Sequence, residues 1–139
     1  MKSRFLFISA ILILTAFVRT SWSQNPLQQP VTNIGFIIDG PWERNDEVRT
    51  LFEREILKLI RSEYEVRFPA DRVYVGDWEL ESIQSAIDQY LSNPDVDIVI
   101  ALGLIASHEA SRRSFLAKPV IAPAVIDAEL QQLPKQNGS

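Results

Sequence analysis

Along this chain, continuous apolar runs alternate with stretches whose apolar residues recur every three or four positions. "NIGFII" (residues 33–38) is apolar on nearly every residue, as in a strand covered on both faces. It stops at Asp39-Gly40-Pro41-Trp42. Beyond it, "NDEVRTLFEREILKLIRSEY" (residues 45–64) sets Val48, Leu51, Phe52, Ile56, Leu59 and Ile60 on one helical face. Asn45 or Asp46 is placed to cap that helix, and Asp46 and Glu47 suit its positive end. "YEVRF" (residues 64–68) alternates as a short strand and is closed by Pro69. "PADRVYVGD" (residues 69–77) reads as a loop ending in a good N-cap, Asp77. "WELESIQSAIDQYL" (residues 78–91) again has a helical face, through Leu80, Ile83, Ala86, Ile87, Tyr90 and Leu91. After the turn "SNPD" (residues 92–95), "VDIVIALG" (residues 96–103) is the most strongly buried strand pattern of all. "LIASHEASRRSFLA" (residues 104–117) follows as a helix, and "KPVIAPAVID" (residues 118–127) carries a fourth strand with a proline on either side of "VIA".

Strand and helix in strict alternation predict an α/β fold with right-handed crossovers. The expectation is an open parallel sheet of about four strands in the order 2-1-3-4, with helices on both faces, forming one Rossmann-like lobe over residues 32–127. The polar, proline-bearing residues 24–31 read as a flexible leader and residues 128–139 as a frayed tail. Residues 1–23 carry the pattern of a cleavable secretory signal: Lys2 and Arg4, an apolar core of about 14 residues from Phe5, then small residues at Ser21 and Ser23. A membrane span needs roughly 20 apolar residues. Export to a bacterial periplasm is therefore expected.

Charge sharpens this. The 139-residue chain has a net charge of −4, and loss of Lys2, Arg4 and Arg19 with the signal takes it to −7. An acidic chain argues against nucleic acid and anionic membranes as partners. With no cysteine, disulfides, thiolate zinc sites, a cysteine nucleophile and a lipid-modified cysteine are excluded. A periplasmic protein held by its core alone fits that composition.

In an open parallel sheet, ligands bind beyond the carboxyl ends of the strands, at the switch in strand order. "DGPWER" (residues 39–44) and "LGLIASHE" (residues 102–109) should flank that switch, with "VGDW" (residues 75–78) on the same rim. Trp42 and Trp78 are candidates for stacking on a flat or apolar ligand, or for packing over a helix start. Gly40 and Gly103 allow tight turns that let a ligand approach main-chain amides. Ser107 falls near a helix start that favours an anion, or is a solvated hydroxyl. Asp39 would hydrogen-bond a polar ligand group, or cap its own loop.

His108 is the only histidine, so no histidine pair is available for zinc. Paired with Asp39 or Glu43 it would give an acid–base couple, the basis of a minor hydrolase reading. A Ser107–His108 dyad is disfavoured because helical neighbours point about 100° apart. The glycines form neither GxGxxG nor a Walker loop, and Asp39 lacks the acidic pair of a phosphoacceptor receiver. No catalytic residue, metal or cofactor is expected.

A signal peptide, "IGFIIDGP", "NPDVDIVIALG", "ASHEA" and "KPVIAP" together resemble the N-terminal lobe of ABC-transporter-type periplasmic substrate-binding proteins of the type I, LacI-like class. The resemblance spans roughly residues 32–127. It implies a non-enzymatic clamp of two α/β lobes that closes on a small solute and delivers it to a membrane transporter component. It also implies that Asp39, Gly40, Trp42, Gly103 and Ser107 face the cleft, with Trp78 and His108 at its margin. Such receptors have roughly 250–350 residues, about two ordinary domains. The expectation is thus either a truncated receptor or a single-lobe relative. The alternative is an envelope interaction domain that pairs its edge strand with a second lobe, another protein or a second copy.

Overall fold

The computed structural model describes residues 31–127, 129, 132 and 133. The signal and leader segments before residue 31, and most of the tail, lie outside the described residues.

The elements run β1 (Val31–Ile38), α1 (Asn45–Ile60), β2 (Glu65–Arg67), a 3-10 turn (Ala70–Arg72), β3 (Val73–Val75), α2 (Leu80–Ser92), β4 (Ile98–Leu102), α3 (Leu104–Ser111) and β5 (Val120–Ile121). All pairings are parallel. The sheet order is β2-β1-β4-β5, with β3 also paired to β1. The protein therefore has the α/β single-lobe architecture expected, with five strands among the described residues where about four were anticipated.

The additional strand comes from "VYV", read above as loop. β2 pairs with Val31–Asn33 of β1. β3 pairs with Phe36–Ile38 of the same strand. Together they make one edge strand broken in the middle. β2 ends at Arg67, Pro69 cannot donate to a ladder, and after the 3-10 turn the chain re-enters alongside β1 at Val73.

Two apolar layers flank the sheet. On one face, Ile34, Phe36 and Ile100 are buried under Phe52 and Ile56 of α1, with Val66, Phe68, Val73, Ile98 and Leu102 around them. On the other, Ile37, Val99 and Ala101 meet Ile83, Ala86, Ile87, Tyr90 and Leu91 of α2 and Ala106 and Ala110 of α3. Successive residues of β1 and β4 thus point to opposite covered faces, which explains their unbroken apolar character. Gly35 is required by this packing: a Cβ there would lie 2.7 Å from the Tyr90 ring.

The helix faces differ. The α2 stripe is buried as expected apart from Leu80 at its start, which is exposed. No residue of α1 is fully buried, and Leu51 and Leu59 of its expected inward face are exposed. The apolar stripe of α1 is wider than its contact with the sheet, so its flank overhangs.

The third helix stops at Ser111 instead of continuing to Ala117. Arg113 turns back to Asp88 and to the Gln84 carbonyl of α2. Lys118 reaches the Tyr90 and Asn93 carbonyls, where a cation suits the negative end of α2. These anchors pull residues 112–119 across α2 and return the chain to β5. The expected fourth strand shortens to two residues, with Pro119 and Pro123 close on either side.

Phe36 is the largest fully buried side chain among the described residues, and it lies in the layer covered by a single helix. Phe36→Ala is expected to cost about 3–5 kcal/mol, a large share of the roughly 5–15 kcal/mol of a domain this size. Urea unfolding followed by circular dichroism checks it; a loss below about 1 kcal/mol would mean this layer is not load-carrying.

Candidate functional site

The carboxyl ends of β1 and β4 are adjacent, with Ile38 opposite Leu102 in register. Each strand then makes its turn one residue later, at Asp39 and Gly103. The two residues do share a mouth, and they are in contact. A Cβ built on Gly103 would fall 2.3 Å from the Asp39 carboxyl carbon, and Gly103 has φ of +144°. That close approach and that backbone together require glycine.

Asp39 is only 4% exposed. Its Oδ2 accepts the Ile105 N–H at 2.9 Å and its Oδ1 accepts the Ala106 N–H at 2.8 Å. Strand β1 thus supplies the cap for a helix that begins 65 residues later in sequence. A negative carboxylate at a helix amino terminus gains from both hydrogen bonding and the helix dipole. This is the geometry in which helix termini bind external anions, and here a side chain of the protein fills it.

Ser107 is fully buried. Its hydroxyl donates to the Ala101 carbonyl at 2.8 Å and accepts the Ala124 N–H at 3.1 Å. It ties β4, α3 and the segment after β5 together. Gly40 is buried beneath the Trp78 indole, which a Cβ would meet at 2.4 Å. Trp78 holds this position with φ of +70° and an N–H to the Asp39 carbonyl at 2.9 Å. Half of its surface still faces solvent.

Trp42 is also half exposed, and the Arg44 guanidinium lies 5.6 Å from its ring centroid. Arg44 is at the same time held by both oxygens of Glu47 at 2.8 Å, which keeps the Glu47 carboxyl below its ordinary pKa. His108 is half-buried on α3, where its Nδ1 is 3.5 Å from Glu109 Oε1. Glu109 also accepts from Gln84 of α2 at 2.8 Å. The histidine's described partner is therefore its neighbour, while Asp39 is engaged with α3 amides. Among the described residues, no three histidine, aspartate or glutamate side chains gather as a metal site.

Sequence reasoning placed Val75 and Leu104 in rim segments without naming them as contact residues, and put Leu80 on the inward face of α2. Val75, Leu80 and Leu104 are all exposed: Val75 ends β3, Leu104 follows β4 by two residues, and Leu80 opens α2. With Trp42 and Trp78 they make the mouth predominantly apolar. The helix caps also differ from expectation. Asn45 donates to the Gly40 carbonyl at 2.8 Å, bracing the turn after β1. Asp77 accepts from Ser82 and from the Glu79 N–H, and both bonds lower its pKa.

Beside this mouth is an open pocket of about 440 Å³ lined by Pro41, Trp42, Glu43, Asn45, Asp46 and Val75. Comparison with protein-family models, curated proteins and solved structures returned no match.

Two substitutions separate the two parts of the Asp39 clasp. Asp39→Ala leaves two amides without acceptors at a cost of about 1–3 kcal/mol each, so a total near 4 kcal/mol is expected. Asp39→Asn keeps one acceptor and should lose roughly half as much. Equal midpoints for wild type and Asp39→Ala in urea unfolding would remove the clasp from the account of stability. Gly103→Ala adds a methyl where the carboxylate already sits and is expected to cost at least about 2 kcal/mol by the same measurement.

Proposed function

We propose that this domain is one lobe of an exported solute-binding module that takes a small molecule at the mouth beyond β1, β3 and β4 for delivery to a membrane transporter. One observation carries the reading: Trp42, Val75, Trp78 and Leu104 are all exposed on one rim, at the switch point where ligands enter parallel sheets. Large apolar side chains gathered there mark a surface that something covers. The module works without covalent chemistry, and residues 1–23 direct it to the periplasm. Asp39, Gly40, Gly103 and Ser107 shape the mouth from beneath, while Trp42 and Trp78 present its contact surface.

A second reading is an envelope interaction domain whose partner covers the same fold elsewhere. It is favoured by the exposed Leu51, Leu59, Ile121 and Phe115. Such a partner would sit against a face. Strand addition at β5 is hindered because prolines flank its two residues and cannot donate to a ladder.

Thermal unfolding of the protein with amino acids, sugars, nucleosides and organic amines tests the first reading against the second. A ligand at 100 times its Kd adds about 2.7 kcal/mol, which should raise Tm by roughly ten degrees or more in a domain of this size. No rise with any solute, together with a concentration-dependent dimer, would replace the solute-binding reading with the interaction reading.

A further inference from the structure

The mouth has a definite electrostatic character. The buried amino terminus of α3, which would attract an anion, is closed by the Asp39 carboxylate, and the amino terminus of α1, which no side chain caps, carries the acidic side chains of Asp46 and Glu47 in its first turn. The cation over Trp42, Arg44, is paired with Glu47 through two hydrogen bonds. What remains open is the pocket beside Trp42. Its apolar walls are Pro41, Trp42 and Val75, and its charged members are the carboxylates of Glu43 and Asp46. Asp46 is shared with Arg49 at 3.2 Å. Glu43 is exposed and makes no hydrogen bond or ion pair with any described residue. The resident guanidinium over Trp42 shows that a cation can be accommodated on that ring.

We infer that this pocket takes a small organic cation with a flat apolar body, the body lying against Trp42 and Val75 and the positive charge facing Glu43. This rests on the solute-binding reading and names its ligand class. The physical basis is twofold. An indole face attracts cations through its quadrupole. A carboxylate without an internal partner adds a Coulomb attraction that a matching anion would feel as repulsion. A net charge of −7 for the chain without residues 1–23 biases encounter in the same direction.

Two probes share one ring system and differ in charge: tryptamine, a cation at neutral pH, and indole-3-acetate, an anion. The ¹⁵N-labelled protein is titrated with each, and the indole N–H peak of Trp42, assigned by its loss in Trp42→Ala, is followed by NMR. Tryptamine is expected to shift that peak saturably, and indole-3-acetate to leave it in place at the same concentrations. Trp42→Ala, followed through backbone peaks of residues 43–46, should weaken tryptamine about five- to tenfold. Glu43→Gln, which keeps size and removes charge, should weaken it about threefold. Indole-3-acetate binding as well as or better than tryptamine would overturn the inference, as would neither probe moving the peak. In either case a different solute that stabilises the protein thermally would leave the solute-binding reading standing, whereas stabilisation by none would remove both.

Discussion

The Asp39 carboxylate is the hinge on which the arrangement turns. It leaves β1, crosses to the neighbouring strand's exit, and receives the first free amides of α3. Gly103 is the complement of that bond, since any side chain there would occupy the carboxylate's position. At the opposite end of the same strand pair, Asp97 does similar work: its Oδ2 accepts the Asn33 N–H at 2.8 Å, while its own N–H donates to the Asn33 carbonyl at 2.9 Å. The two central strands are thus clasped by an aspartate at each end. Between the clasps run Ile34 to Ile38 and Ile98 to Leu102, whose alternating side chains supply both core layers.

That clasp also fixes what the mouth can do. Helix amino termini at strand switch points are available to ligands only when nothing internal satisfies them. Here burial of Asp39 and Ser107 converts the polar groups nearest the sheet into fold-holding groups. The surface above them is then left to the indoles, to Val75 and Leu104, and to the carboxylates of Glu43 and Asp46. Trp78 bridges the two roles, because one side of it seals Gly40 and the other stays in solvent. Its left-handed backbone conformation is disfavoured for a bulky residue, and it is held by a hydrogen bond to the carbonyl of the same Asp39 that caps α3.

Most of the architecture was legible in the sequence, and the failures have identifiable causes. The runs at residues 33–38 and 96–103 announced a sheet covered on both faces, and the α2 stripe was read correctly apart from Leu80. "VYV" was missed because three residues carry too little periodicity to separate strand from loop; only the partner strand β1 makes them a strand. The third helix was overextended because "SRRSFLA" is compatible with a helix locally, while the capture of Arg113 by α2 is a tertiary event. Adjacency of Asp39 and Gly103 followed from strand order alone. That the aspartate would face inward did not follow, since an acid after a strand reads the same whether it meets a ligand or a neighbouring helix. The one usable signal was glycine itself at position 103, the partner such a carboxylate needs.

The two faces of the sheet bear on how a solute would be held. The α2–α3 side is closed by two helices and stapled by Arg113, Lys118 and the Gln84–Glu109 bond. The α1 side has one helix, overhanging apolar residues, and only partly covered Ile98 and Leu102. The mouth lies at the carboxyl edge of both. A small molecule resting on Trp42 and Val75 is enclosed on one side, whereas tight small-molecule sites bury most of their ligand. Under the proposed reading the missing wall must come from a surface that is apolar opposite the indoles and tolerates carboxylates at its margin. A facing lobe with that chemistry would cover the exposed rim and the ligand together. Under that reading, the same side chains that would leave the lobe a weak binder by itself are those that would make closure favourable.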